Sequence, residues 1–260
     1  METVRSADGT TIAFDRLGEG PALVMVLGAF NDRHTKSALG ALLSPHFTVV
    51  SYDRRGRGDS GDTPPYAVDR EIDDLAAVIA ASGGPAEETA RVFGHSSGAV
   101  LGLEAAARGI PIGRLAVYEP PVAVIDGTPE PSDLAARVRA EVTAGRRGEA
   151  AKLFLTEGIG MPAEVVAMIE ASPGWPGMEA IAHTLPYDLT ITACALSPAR
   201  LATIPVPTLA VNGGASPGWM DETAAAIATA VPDAKHVALP GQTHDEDPTV
   251  LAPVLAEFLA

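Results

Sequence analysis

The chain has 260 residues, 47% of them hydrophobic and 20% charged, which is enough apolar content for one sizeable buried core and excludes a disordered chain. Its 33 acidic residues against 18 Lys and Arg leave a net charge of −15, which repels nucleic-acid phosphates and anionic membrane surfaces and argues against both as partners. A single cysteine, Cys194, excludes an internal disulfide and a CxxC metal or redox site; it reads as a small buried apolar residue.

The opening stretch METVRSADGT has no basic region followed by an apolar one, and no apolar run reaches the roughly 18 residues that a membrane span needs, so the expected compartment is the cytoplasm. Thr3-Val4 and Thr11-Ile12-Ala13-Phe14 flank Asp8-Gly9, the pattern of an antiparallel hairpin at a sheet edge. Short β-branched and apolar runs bounded by turn residues then predict strands at 21–27, 47–52, 90–93 and 115–118, with two more at 208–211 and 236–239. Helical patterns lie among them at 68–81, where Ile72, Leu75 and Val78/Ile79 share a face, and at 97–108, 221–231 and 248–259. Strands alternating with helices predict an α/β fold, a mostly parallel central sheet with helices on both faces.

Residues 122–204 break the alternation. They contain no strand pattern, but Leu134, Val138 and Val142 repeat at helical spacing, Val165, Met168 and Ile169 do so again, and Trp175, Met178 and Ile181 form a third apolar group. A helical insertion between two strands reads as a lid, dividing the chain into a core (1–121 and 205–260) and a lid subdomain (122–204).

Two stretches fit GxSxG, the pattern around many nucleophilic serines: Gly94-His95-Ser96-Ser97-Gly98 and Gly214-Ala215-Ser216-Pro217-Gly218. Ser96 follows a predicted strand and precedes a predicted helix, the strand-turn-helix context that lifts a serine above a sheet. An acyl-transfer serine also needs an oxyanion donor, normally the backbone N–H of the next residue. Ser97 has that N–H, whereas Pro217 has none, so Ser216 fails as a nucleophile. Ser96 needs a base, and of the six histidines His244 is the one in a loop between the last strand and the last helix, on the sheet edge where Ser96 emerges.

With Gly94-His-Ser-Ser-Gly98, the loop Tyr52-Asp-Arg-Arg-Gly-Arg-Gly-Asp-Ser60, the late His244 and the insertion after the sixth strand, the chain resembles the α/β-hydrolase superfamily from about residue 20 onward. The resemblance implies an α/β-hydrolase fold with a helical lid after strand 6 and a serine nucleophile, which argues against dehalogenases and epoxide hydrolases of this fold, whose nucleophile is an aspartate. The loop after strand 3 usually reads His-Gly; here it reads Leu27-Gly28-Ala29-Phe30, and the resemblance makes Ala29 N–H the second oxyanion donor. The triad acid usually follows strand 7, where this chain has Ser216, a neutral hydroxyl. Some members carry the acid at the end of strand 6, which is Glu119 here; Asp221 or Glu222, just past the vacant slot, are the alternatives. Arg54, Arg55 and Asp59 lie in a loop that is structural in the family.

The expected function is a serine hydrolase that cleaves an ester, thioester or lactone of a small to medium apolar substrate through an acyl-enzyme. Ser96, His244 and Glu119 form its triad, Ala29 and Ser97 its oxyanion hole, and Phe30, Met161, Met168, Trp175, Met178 and Tyr187 contribute to its pocket. No cofactor and no metal are expected; the partner is a small molecule, and the chain is a monomer or a homodimer. Two alternatives stay open: C–C hydrolysis, lyase or cyclisation chemistry on a natural-product intermediate at the same site, or a ligand-binding protein that keeps the fold without turnover.

Overall fold

The computed structural model describes residues 1–83, 89–124, 132–193 and 196–260, and Cys194 lies outside them. In chain order come β1 (Glu2–Arg5), β2 (Thr11–Leu17), β3 (Ala22–Val26), α1 (Ser37–Leu43), β4 (Thr48–Tyr52), α2 (Val68–Ala81), β5 (Arg91–His95), α3 (Ser97–Ala107) and β6 (Arg114–Tyr118). The helices α4 (Leu134–Thr143), α5 (Arg147–Leu153), α6 (Ala163–Glu170), α7 (Trp175–Ile181), α8 (Leu185–Thr192) and α9 (Pro198–Leu201) follow. Then β7 (Thr208–Gly213), α10 (Gly218–Ala230), β8 (Ala234–Leu239) and α11 (Pro248–Leu259) complete the core. Every predicted strand and core helix forms, with ends moved by a few residues.

The eight strands make one sheet in the order β1-β2-β4-β3-β5-β6-β7-β8. It is antiparallel where β2 meets β1 and β4, and parallel from β4 to β8. Alternating side chains divide each strand between two cores. Val24, Val26, Val92, Leu115 and Val117 face the layer of α2, α3 and α10; Leu23, Met25, Phe93, Ala116 and Tyr118 face α1 and α11. Because both faces are covered, the central strands read as continuous apolar runs, the pattern that made them legible.

Between β6 and β7 the described residues form helices and turns without a strand. This insertion has its own core of Leu134, Val138, Phe154, Val166, Trp175 and Leu185, against which Ala29 and Phe30 of the loop after β3 also pack. One helical face differs from expectation. On α6 the buried residue is Val166, while Val165 and Met168 are exposed, because only a narrow edge of this helix touches the rest of the insertion. Four helices, α1, α5, α8 and α9, had no prediction. In α1, Leu39 and Leu43 are buried four residues apart, a pattern too short to stand out; α5 buries only Ala150 and Ala151, α8 buries Asp188 among Leu185, Pro186 and Ile191, and α9 has only 4 residues. Among the described residues, no helix is long and apolar enough to cross a membrane.

Candidate active site

Ser96 stands at the C-terminal end of β5, immediately before α3, with φ 57° and ψ −127°. Its neighbours explain how a serine is held there. A Cβ on Gly94 would lie 2.6 Å from Ala99 Cα, and one on Gly98 would lie 2.1 Å from the Val26 carbonyl oxygen. The glycines of this motif therefore serve close approach, of the turn to its own helix and of α3 to β3. Among the described residues three non-glycine residues have positive φ, namely Phe30 (59°), Ser96 (57°) and Glu119 (45°). They follow β3, β5 and β6, so the backbone strain of the molecule collects along one edge of the sheet.

On that edge His244 meets Glu119. The imidazole Nδ1 lies 2.7 Å from Glu119 Oε2, and the Gly213 N–H donates to Glu119 Oε1 at 2.8 Å. Glu119 is fully buried, and burial by itself would raise its carboxyl; the contact with His244, the nearby Ser216 hydroxyl and the Gly213 N–H outweigh this and hold it below its ordinary value. Ser216, in the slot where the resemblance places an acid, is thus a neighbour of Glu119. Its Oγ is buried and makes no hydrogen bond with good geometry. Asp221 instead points to a different histidine, with Oδ1 3.6 Å from His236 Nε2, and Glu222 is exposed. The Glu119 position therefore pairs with His244, and the two alternative acids do not.

Two residues that sequence reasoning passed over hold the histidine loop. His95 Nε2 donates to the His244 carbonyl at 3.0 Å, and the Tyr118 hydroxyl donates to the Thr243 carbonyl at 2.6 Å. Their rings stack 5.7 Å apart. Each immediately precedes a member of the candidate triad, so β5 and β6 deliver both Ser96 and Glu119 and the supports of the histidine loop. A cavity of about 320 Å³ opens beside His244, with Asn31, Lys36, His95 and Glu246 in its wall.

Ser97 is the first residue of α3, so its N–H has no acceptor within the helix. Ala29 follows Gly28, where a Cβ would lie 2.7 Å from Ser96 Cβ; the loop after β3 thus runs directly against the serine. Phe30 packs edge-on against Phe154 with centroids 5.5 Å apart, and Met161 and Met178 pack against the same cluster in which Trp175 is buried. Tyr187 stacks on Tyr66 and donates from its hydroxyl to Asp62 at 2.8 Å. Met168, 73% exposed on α6, does not join them.

The loop of Arg54 and Arg55 is a set of buried ion pairs. Arg54 donates twice to Glu71, at 2.7 and 2.8 Å, and to Asp188 of α8 at 2.8 Å; Arg55 donates twice to Asp74, and Arg57 twice to Asp188. Asp59 pairs with Arg33, which also contacts Asp53 and Asp15. Burial acts to raise Asp188, but Arg57 and Arg54 prevail and keep it ionised below the ordinary carboxylate range. Arg57 lies in the loop that carries the family resemblance but was given no role of its own, and nothing in the sequence marked Asp188, since a buried ion pair is invisible without its partner.

A mostly parallel sheet that presents a strained serine at a strand-to-helix turn, and a carboxylate-paired histidine on the same edge, defines the α/β hydrolase class. The sequence model of the alpha/beta hydrolase family matches residues 23–254, and the chain belongs to that family. It is similar to an alpha/beta hydrolase from Sphaerobacter thermophilus DSM 20745, with 54% identity, TM-score 0.91 and all of both chains covered. It is also similar to a hydrolase from Pseudomonas aeruginosa PA01, with 25% identity, TM-score 0.80, and 100% of this chain and 98% of that one covered. By sequence it is 32% identical over 142 residues to the N-formylmaleamate deformylase of Pseudomonas putida, covering 53% of this chain and 52% of the relative. It is also 34% identical over 99 residues to an uncharacterized hydrolase of Bacillus subtilis, covering 37% of this chain and 35% of that one, so the matches span about half or less of the lengths of these two curated relatives.

Proposed function

We propose that the protein is a serine hydrolase acting on an ester, thioester or lactone of a small to medium apolar molecule. The observation that carries this reading is the 2.7 Å contact between Glu119 and His244 Nδ1, on the same sheet edge as a serine in a strained turn. Glu119 fixes the tautomer in which Nδ1 carries the proton, leaving Nε2 to act as base. His244 takes the proton as Ser96 Oγ attacks the carbonyl carbon, and the N–H groups of Ala29 and Ser97 receive the developing oxyanion. His244 then returns the proton to the leaving group. A water attacks the acyl-enzyme in the second half, with His244 again as base, releasing the acid and restoring Ser96.

The insertion serves as the lid, and its apolar residues next to Phe30 favour an apolar acyl or ring-bearing substrate. Support for hydrolysis comes also from the similarity to the Sphaerobacter alpha/beta hydrolase and to the N-formylmaleamate deformylase. The test is a fluorophosphonate probe followed by peptide mapping of the adduct. We expect a single adduct at Ser96, abolished in Ser96→Ala and retained in Ser216→Ala; folded protein without an adduct at Ser96 overturns the reading in favour of a ligand-binding role.

A further inference from the structure

The loop after β3 bears the Ala29 donor, and four of its carbonyl oxygens, those of Leu27, Gly28, Ala29 and Asn31, are held by side-chain donors. Arg57 Nη1 donates to the Gly28 carbonyl at 2.5 Å and to the Asn31 carbonyl at 3.3 Å; Arg54 Nη1 donates to the Leu27 carbonyl at 3.2 Å; Asn31 Nδ2 donates to the Ala29 carbonyl at 2.6 Å. A trans peptide is planar, with its C=O and N–H pointing in opposite directions. Tying the Gly28 oxygen to Arg57 therefore turns the Ala29 N–H of that same peptide away from the guanidinium.

The other donor is anchored to the same cluster. The Ser97 hydroxyl donates to Asp188 Oδ1 at 2.6 Å and accepts from Arg54 at 3.2 Å. Asp188 in turn accepts two bonds from Arg57, at 2.9 and 2.7 Å, and Arg57 Nε donates to Thr184 at 3.2 Å. Both arms of the candidate oxyanion hole thus meet at one buried carboxylate, and that carboxylate belongs to α8 of the insertion. Arg54 and Arg57 are balanced by Glu71 and Asp188, so the cluster orients dipoles without adding net charge.

We propose that Arg57 and Asp188 are positioning residues for the oxyanion hole. Arg57 aims the Ala29 N–H at the acyl carbonyl, Asp188 locks Ser97 in register with it, and the insertion thereby sets the catalytic competence of the core rather than only covering it. This rests on the serine-hydrolase reading above.

The test compares Arg57→Met, Arg57→Lys and Asp188→Asn with the wild type on an activated aryl ester, with active sites titrated to completion by a fluorophosphonate. A phenyl trifluoromethyl ketone, which serine addition converts into a tetrahedral oxyanion, supplies a second readout. Arg57→Met is expected to lower kcat per titrated site about 100-fold and to weaken the ketone by a similar factor, with KM changed less than about threefold. Arg57→Lys, which keeps a charge but not the fork, recovers part of the loss. A purely structural role would lower the titratable fraction and the melting temperature while leaving kcat per site and ketone affinity intact, and that result overturns the proposal. If Arg57→Met does not fold, Asp188→Asn, which keeps the shape of the carboxylate, decides on the same readouts. Absence of a wild-type adduct at Ser96 overturns the hydrolase reading and this one with it; an adduct with unchanged kcat in the variants overturns this one alone.

Discussion

Glu119 combines a left-handed backbone with complete burial, and both follow from where its oxygens must go. Its N–H bonds the Val211 carbonyl at 2.9 Å, extending the pairing of β6 with β7, while φ 45° turns the side chain between Gly213 and His244. Substitution by Gln keeps the shape but replaces the acceptor facing Nδ1 with an amide that can present its N–H₂, favouring the wrong tautomer. Glu119→Gln is therefore expected to lower kcat on an activated ester by roughly 10³-fold, and Asp221→Asn by less than about twofold. Steady-state kinetics on the two variants checks this, and a larger loss in Asp221→Asn reverses the assignment. Ser96 and His244 were legible from local context, a turn between strand and helix and a late loop. Glu119 was preferred to Asp221 and Glu222 only through the family resemblance, because its contact with His244 spans 125 positions in the chain and leaves no local pattern.

At the scale of elements, the crossing of α3 over β3 sets how closely the serine turn approaches the loop after β3. Gly98 makes that crossing possible, since its Cβ would sit 2.1 Å from the Val26 carbonyl oxygen, a backbone atom without room to retreat. Gly98→Ala must push helix and strand apart, and we expect it to cost about 3 kcal/mol, read as a lower urea midpoint. Gly218, at the start of α10, has no atom within 4 Å of its would-be Cβ, and Gly218→Ala is expected to change stability by less than about 0.5 kcal/mol. The long helices α2 and α11 were readable to the residue, because each lays a single apolar face on a sheet. In α8 that logic fails: Asp188 is buried on the inward side between Arg54 and Arg57, a polar position that breaks apolar periodicity.

For the whole molecule, the excess of acidic residues hides a division between solvated carboxylates and those paired with basic side chains at buried or partly buried positions. Glu246 illustrates the second group. Burial acts to raise it, but His95 and Lys36, whose Nζ lies 2.9 Å from its Oε2, bring its carboxyl down to about 2 from an ordinary 4.5. Between those values the unfolded chain binds a proton that the folded protein does not, so stability is full above 4.5 and declines as the pH falls toward 2. Asp8, Glu119 and Asp188 are shifted in the same direction, whereas Asp74, raised by burial, works against it. We expect urea midpoints to fall through this window, and Glu246→Gln to remove roughly 3 kcal/mol at pH 7 while flattening the decline. An unchanged acid slope in Glu246→Gln would assign the loss to other carboxylates.

What the sequence determined by itself is whatever depends on neighbours in the chain. Apolar runs set the strands of a sheet covered on both sides, one strand-turn-helix motif singled out Ser96, and the missing N–H of Pro217 removed Ser216 as its rival. The tertiary structure decided what depends on groups brought together from distant segments: Glu119 beneath His244, Ser216 as its neighbour, and Arg57 and Asp188 behind the loop of Ala29. Burial and pairing energies belong to the assembled environment, and a buried charge is intelligible only beside the opposite charge that keeps it there.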